Sequence, residues 1–312
     1  MRKQLALIAL PTIAILLGIF VGSYPTDPLH LTPGAIIIIK DIRLPRTLMG
    51  ISAGIALSLG GMTLQAVFRN PLVGAYILGV SSGVAFGAAI AVAFLPFAGV
   101  APLALLFGLL AVFLAYWMAR INGRVSTVSL ILAGIIVTAL FSALLSLLEL
   151  LLPSESLSAL VIWLMGSLSG ATWERVTYSL PGVITLALVF FLLRWDLNAM
   201  SLGDEAELLG LNVHLWRGIF VFISALMTTL VVSFTGIIGW VGLMVPHIAR
   251  MLVGPEHSKL IPATISIGIT VMVLADVVVR LLPGDIPVGI ITTIIGVPFF
   301  GYLLRRTGGG WE

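Results

Sequence analysis

The 312-residue sequence has no cysteine, only three lysines, and charge on just 9% of its positions. Without cysteine there is no disulfide framework and no thiolate chemistry. No G-x-x-x-x-G-K-[ST] stretch occurs, so the chain cannot bind and hydrolyse ATP through a P-loop of its own. If ATP drives it, another subunit must carry the nucleotide site. The four histidines, His30, His214, His247 and His257, are scattered without metal-ligand spacing, and no metal site is supported. The apolar runs are continuous rather than alternating, which excludes the strands of a membrane barrel. The net charge of +3 follows loop asymmetry and gives no reason to invoke nucleic acid.

What the sequence does have is apolar length. Hydrophobic residues make up 60% of it, and the mean hydropathy is +1.19. A helical span needs about 20 apolar residues, so about ten spans with short connections fill the chain. The expected fold is an all-α polytopic membrane protein, with residues 1–312 forming a single transmembrane domain. Charge, proline and glycine punctuation places spans near 5–23, 46–67, 73–95, 101–119, 127–151, 177–194, 214–235, 240–253, 261–282 and 288–304. Residues 25–40 read as an external connection, and 158–170 as a half-inserted or surface helix. The run from Leu5 to Val21 exceeds a signal-peptide core and lacks a clean cleavage site, so it reads as a retained first span.

Basic residues set the orientation. With the N-terminus inside, Arg2, Lys3, Arg69, Arg120, Arg124, Arg194, Arg217, Arg250, Lys259, Arg305 and Arg306 lie inside. Lys40, Arg43, Arg46, Arg175 and Arg280 lie outside. This bias predicts that both termini face the cytoplasm of a cell-membrane protein.

Against this sparse background, Asp204, Glu205 and Glu207 put three carboxylates within four residues. They sit in Leu202-Gly203-Asp204-Glu205-Ala206-Glu207-Leu208-Leu209-Gly210-Leu211, too short and too charged to cross a bilayer. It reads either as a solvated loop helix or as a docking element for a soluble partner on the inner side. Gly50 and Gly54, and Gly79, Gly83 and Gly87, recur at four-residue spacing, as helix-packing seams do. Asp276 and Arg280 are four apart on one helix face and can pair. Arg43-Leu44-Pro45-Arg46 opens a helix, proline fixing its first turn. Its external arginines can snorkel to lipid phosphate or grip the carboxylates of an external protein. Ionisable groups are missing near the middle of the spans, which argues against an ion-coupled secondary transporter acting alone, a reading kept open. The pathway would then be lined by neutral polar groups such as Gln65, Ser81 and Ser82, which helix-helix hydrogen bonding explains equally well. Gly79-Val80-Ser81-Ser82-Gly83 also matches G-x-S-x-G, leaving an intramembrane serine hydrolase as a remote alternative.

Several segments together resemble the FecCD-type permeases, the membrane subunits of ABC importers for iron-siderophores, haem and cobalamin. They are Arg43-Leu44-Pro45-Arg46, Gln65 to Leu72, Leu78 to Gly83, Leu202 to Leu211, Gly239 to Arg250, and Pro287 to Pro298. The resemblance covers nearly the whole chain. It implies a type II ABC importer permease of ten helices per subunit, paired as a homodimer or close heterodimer around a central pathway. It implies two cytoplasmic ATPases, which bind ATP and Mg, an external substrate-binding protein, and a metal chelate, most commonly an iron-siderophore, as substrate. The chain itself is then a transport subunit and not an enzyme, with no cofactor of its own. Residues Gly203, Asp204, Glu205, Ala206, Glu207, Leu208, Leu209, Gly210 and Leu211 correspond to the family's ATPase-coupling helix. Arg43, Arg46 and Arg280 correspond to arginines that receive acids of the binding protein. Thr127 and Val128 correspond to the cytoplasmic gate, where Val128 departs from the usual hydroxyl pair.

Overall fold

The computed structural model describes residues 2–30, 32–95 and 99–307. Met1 and residues 308–312 of the expected domain lie outside the described residues, as do the side chains of Arg2, Lys3 and Arg306. Thirteen α-helices run along the described chain. They are α1 (Arg2–Phe20), α2 (Pro33–Ile37), α3 (Leu44–Phe68), α4 (Val80–Phe94), α5 (Val100–Ala119), α6 (Thr127–Leu151) and α7 (Ser154–Leu164). Then come α8 (Trp173–Leu192), α9 (Arg194–Met200), α10 (Val213–Thr235), α11 (Val241–Val253), α12 (His257–Leu281) and α13 (Val288–Thr307). Strands β1 (Arg120–Ile121) and β2 (Arg124–Val125) form a small hairpin. The ten expected spans correspond to α1, α3, α4, α5, α6, α8, α10, α11, α12 and α13. Among the described residues, six helical segments are long and apolar enough to cross a membrane by length and composition. The remainder of the ten are shorter apolar helices.

Helix α3 is the axis of the molecule, buried along nearly its whole length and surrounded by α8, α10, α11 and α12. Lipid gives no hydrophobic drive for helix association, so close backbone approach must supply the contact. Glycine permits it. A Cβ on Gly54 would stand 2.4 Å from Gly268 O of α12, and one on Gly83 would stand 2.5 Å from Phe107 O of α5. The expected seams at Gly54, Gly83 and Gly87 are therefore real contacts.

Three expectations need correction. The span near 73–95 is not one helix. A 3-10 turn, Ala75–Leu78, ends at Gly79, whose φ of +79° breaks the chain before α4 begins. The connection at 25–40 is also more ordered than its composition implied. Thr32 caps α2, accepting from Ala35 N at 3.2 Å, and a π-helical turn, Ile38–Arg43, joins α2 to α3. The helix therefore opens at Pro33, a full turn and more before Arg43. The half-inserted or surface helix expected at 158–170 is offset: α7 covers Ser154–Leu164, and the chain from 165 to 172 is not helical.

Between α10 and α11 the backbone is irregular from Gly236 to Trp240. Inside a membrane such backbone must find partners within the protein. It does: Ser167 N donates to Thr235 O at 2.7 Å, and the Tyr76 hydroxyl donates to Ile238 O. Trp240 takes φ +69°, strained for a bulky residue, with its ring packed against Phe300 and its Cβ over Gly296.

The molecule has two distinct ends. Helices α1 and α12 run in the same direction, linked by Ser266 Oγ to Leu7 O and by Arg280 Nη1 to Gly18 O at 2.7 Å. One end gathers Arg43, Arg46 and Arg280. The other gathers Arg69, the hairpin, the 203–209 segment and the start of α12.

Candidate functional site

At the arginine end, Asp276 of α12 is 1% exposed and carries two guanidinium partners. Arg46 Nε donates to its Oδ1 at 2.7 Å, and Arg280 Nε lies 3.0 Å from its Oδ2. The expected pairing of Asp276 with Arg280 is present, and Arg46 of α3 completes it as a triad. Two helices are thereby clamped by charge, and removing the carboxylate would strand two buried cations. Arg43, 3% exposed, behaves differently. Its guanidinium donates to Phe20 O at 2.7 Å, Thr26 Oγ1 at 2.9 Å and Tyr24 O. It holds the link between α1 and α2, satisfying most of its five donors. All three arginines line one cavity of about 500 Å³, together with Tyr24 and Asp285.

At the other end, Gly203–Leu209 forms a 3-10 helix of seven residues, longer than such helices usually run. Glycines with φ +72° and +81°, Gly203 and Gly210, bracket it. A Cβ at Gly203 would stand 2.6 Å from Arg69 Nη1, so the segment is seated against the end of α3. Ala206 is buried beneath it. Arg217 of α10 braces it: this buried guanidinium reaches Val125 O and, at 3.3 Å, Asp204 Oδ1. The acids still face outward, with the Asp204 side chain 87% exposed. The leucines divide. Leu208 and Leu209 are 86% and 64% exposed, whereas Leu211 packs against the main core.

The remaining candidates are dispersed. Thr127 and Val128 open α6, where Ser126 caps the helix by accepting from Ser129 N at 3.0 Å, and Val128 is exposed. Gln65 is buried between α3 and α11. Its Nε2 donates to Leu243 O at 3.3 Å, and its Oε1 accepts from Arg250 at 3.2 Å. Ser82 Oγ donates to Gly79 O at 3.0 Å. Ser81 Oγ is buried without a hydrogen-bond partner among the described residues. Ser81 lies within a helix preceded by a 3-10 turn, not in the strand-turn-helix that nucleophile-elbow chemistry needs.

Three features escaped the sequence reading. The hairpin between α5 and α6 had a signal in Asn122-Gly123, both at positive φ as a tight two-residue turn requires. The Arg217 brace had none, because its partners lie 13 and 92 residues away. Nor did Asn198, whose Oδ1 accepts from His257 N at 2.9 Å and ties α9 to the start of α12.

Comparison with known proteins places this geometry in context. The model of the FecCD transport family matches residues 9–306. The molybdate import system permease protein MolB of Haemophilus influenzae is 40% identical over 87% of this chain and 82% of its own length. The cobalamin import system permease protein BtuC of Halobacterium salinarum is 40% identical over 86% of this chain and 73% of its own. A solved inward-facing conformation of a metal-chelate type ABC transporter superposes with a TM-score of 0.91 at 37% identity, covering 97% of this chain and 98% of that one.

Proposed function

Because the chain belongs to the FecCD transport family and is a multi-pass permease component of an ABC importer, we propose that it carries a metal chelate across the cell membrane under the control of a separate ATPase. The observation that carries this reading is the contrast between the two ends. One offers a cavity walled by pre-set guanidinium groups; the other offers exposed acids and leucines on a braced, protruding turn.

In this reading the arginine cavity receives carboxylates of an external binding protein, since guanidinium groups grip carboxylates bidentately. Arg46 and Arg280 make that contact, and Arg43 shapes the wall by holding the α1–α2 link. The 203–209 segment meets a cytoplasmic ATPase on each of two permease copies. Leu208 and Leu209 enter the partner's groove, while Leu211 and Ala206 transmit its motion to the spans. The exposed stripe of α6, from Val128 through Leu132, Ile135 and Ala139, faces the second copy and the central pathway. Both termini lie in the cytoplasm. ATP and Mg are bound by the ATPase, not by this chain.

The substrate proposed is an iron chelate. Haem and cobalamin are the alternatives, and a relative named for molybdate adds a third. The test is uptake into proteoliposomes holding the permease, its ATPase and the neighbouring binding protein, loaded from growth medium. Elemental analysis of the loaded binding protein reads iron, cobalt or molybdenum directly. Uptake that is ATP-dependent and vanadate-sensitive is expected. Uptake of equal rate without the ATPase establishes a secondary transporter instead. Replacing Glu205 or Leu209 should lower ATPase association or uncouple hydrolysis from uptake while the protein stays folded. Wild-type stoichiometry and uptake in those variants remove the docking role of the segment.

A further inference from the structure

A groove between α5 and α10 opens onto the outside of the helix bundle. Its volume is about 430 Å³. Its walls are Val112, Phe113 and Tyr116 on α5, and Leu215, Ile219 and Phe222 on α10, an almost wholly apolar lining. The groove exists because Gly218 faces Tyr116: a Cβ there would stand 2.6 Å from the Tyr116 hydroxyl. That hydroxyl donates to His214 O at 3.3 Å, closing the groove's end toward the 203–209 segment.

Beyond Tyr116 the chemistry changes abruptly. Arg120 follows directly on the last residue of α5, four residues after Tyr116, and is exposed. Arg124 follows in the hairpin, also exposed. No acid occurs between Val112 and Val125. In the neighbouring segment Asp204 reaches Arg217 at 3.3 Å and Glu207 lies 4.0 Å from His214, while Asp204, Glu205 and Glu207 all stay exposed to solvent. Trp117, 66% exposed beside the rim, is the residue type that settles at a membrane-water boundary. An apolar groove between two spanning helices, followed by exposed positive charge at the end that carries the 203–209 segment, matches one kind of ligand.

We propose that the α5–α10 groove is a binding site for an anionic phospholipid of the inner leaflet, its acyl chain lying between Phe113, Ile219 and Phe222 and its phosphate held by Arg120 with support from Arg124. Basic pockets between spanning helices on the cytoplasmic side recognise anionic headgroups, because hydrocarbon burial and charge attraction act together there. A second copy of this chain fits less well. A second copy would have to cover this lining with an equally apolar face, which leaves the exposed Arg120 and Arg124 without a counter-charge. The site adjoins the 203–209 segment through His214 and Arg217, so its occupant touches the mobile-partner end of the molecule and not the arginine cavity.

Native mass spectrometry of the detergent-purified permease, titrated with phosphatidylglycerol or phosphatidylcholine, tests this. Wild type is expected to retain phosphatidylglycerol preferentially. Arg120→Gln should reduce that preference about fivefold, the effect of one basic residue near an anionic surface. Arg120→Lys should keep most of it, which separates charge from folding. Ile219→Trp, which fills the groove, should lower retention of both lipids alike. Equal retention of the two lipids by wild type overturns the proposal, as does an unchanged preference in Arg120→Gln. The absence of native cysteine allows a third arm. Phe113→Cys is expected to stay monomeric in its cross-linking behaviour; efficient disulfide formation between two copies, insensitive to added lipid, would assign the groove to a protein partner instead.

Discussion

The two ends of the molecule hold their charges in opposite ways. At the arginine end Asp276 is 1% exposed and shared by Arg46 and Arg280, and Arg280 is fixed further by donating to Gly18 O. At the acidic end the Asp204 side chain is 87% exposed, and its one partner, Arg217, is buried. Buried charge is costly to desolvate and is retained only where geometry is tightly satisfied. Exposed charge costs little and contributes little until a partner covers it. The first arrangement therefore presents a surface already shaped before anything binds. The second presents groups whose energetic worth appears only in a complex.

Truncating the two carboxylates separates these roles most sharply. Asp276→Ala leaves two buried guanidinium groups without their counter-ion and should cost about 3–5 kcal/mol. Asp204→Ala should cost about 1 kcal/mol or less, since water replaces its contact. Thermal unfolding in detergent, followed by tryptophan fluorescence and size exclusion, measures both. Equal losses would break the comparison.

Arg217→Gln comes next. It removes a buried cation that joins the hairpin, α10 and the 203–209 segment through Val125 O and Asp204. Hydrogen bonds to charged groups contribute about 1.5–3 kcal/mol, and the loss should fall in that range. Its signature should be local: faster hydrogen exchange in 203–209 and 120–125, with the Asp276 triad unchanged. Exchange accelerating equally at both ends would show that the ends are not independent.

The sequence made the spans legible because twenty-residue apolar runs admit one solution in lipid. It also marked the acids and arginines, since each stands out against so few charges. It did not reveal how those residues are held. The 73–95 span looked continuous because Gly79 fits a packing seam as readily as a break, and only its positive φ decides between them. Arg43 and Arg46 looked equivalent three residues apart. They leave one helical turn side by side but meet different neighbours, Arg43 the α1–α2 link and Arg46 Asp276, which lie far away in sequence. The division of Leu208 and Leu209 from Leu211 is likewise set by the end of the 3-10 helix at Gly210, which leucine identity does not announce.

That difference between Arg43 and Arg46 carries the smallest effect, and it concerns rates. Charges at the rim of an interface act mainly on association and its salt dependence. Arg46→Gln keeps a donor for Asp276 while removing one positive charge from the cavity wall. Association of the binding protein, followed by surface plasmon resonance, should slow severalfold at low salt and converge toward wild type as ionic strength rises, because screening acts over about 8–10 Å under ordinary conditions. Arg43→Gln should instead loosen the α1–α2 link, since its donors are engaged with Phe20, Thr26 and Tyr24, and leave the salt dependence near that of wild type. Identical salt profiles for the two variants would return both arginines to one role. Divergent profiles would mean that the arginine end itself contains two functions, a wall that is built and a face that binds.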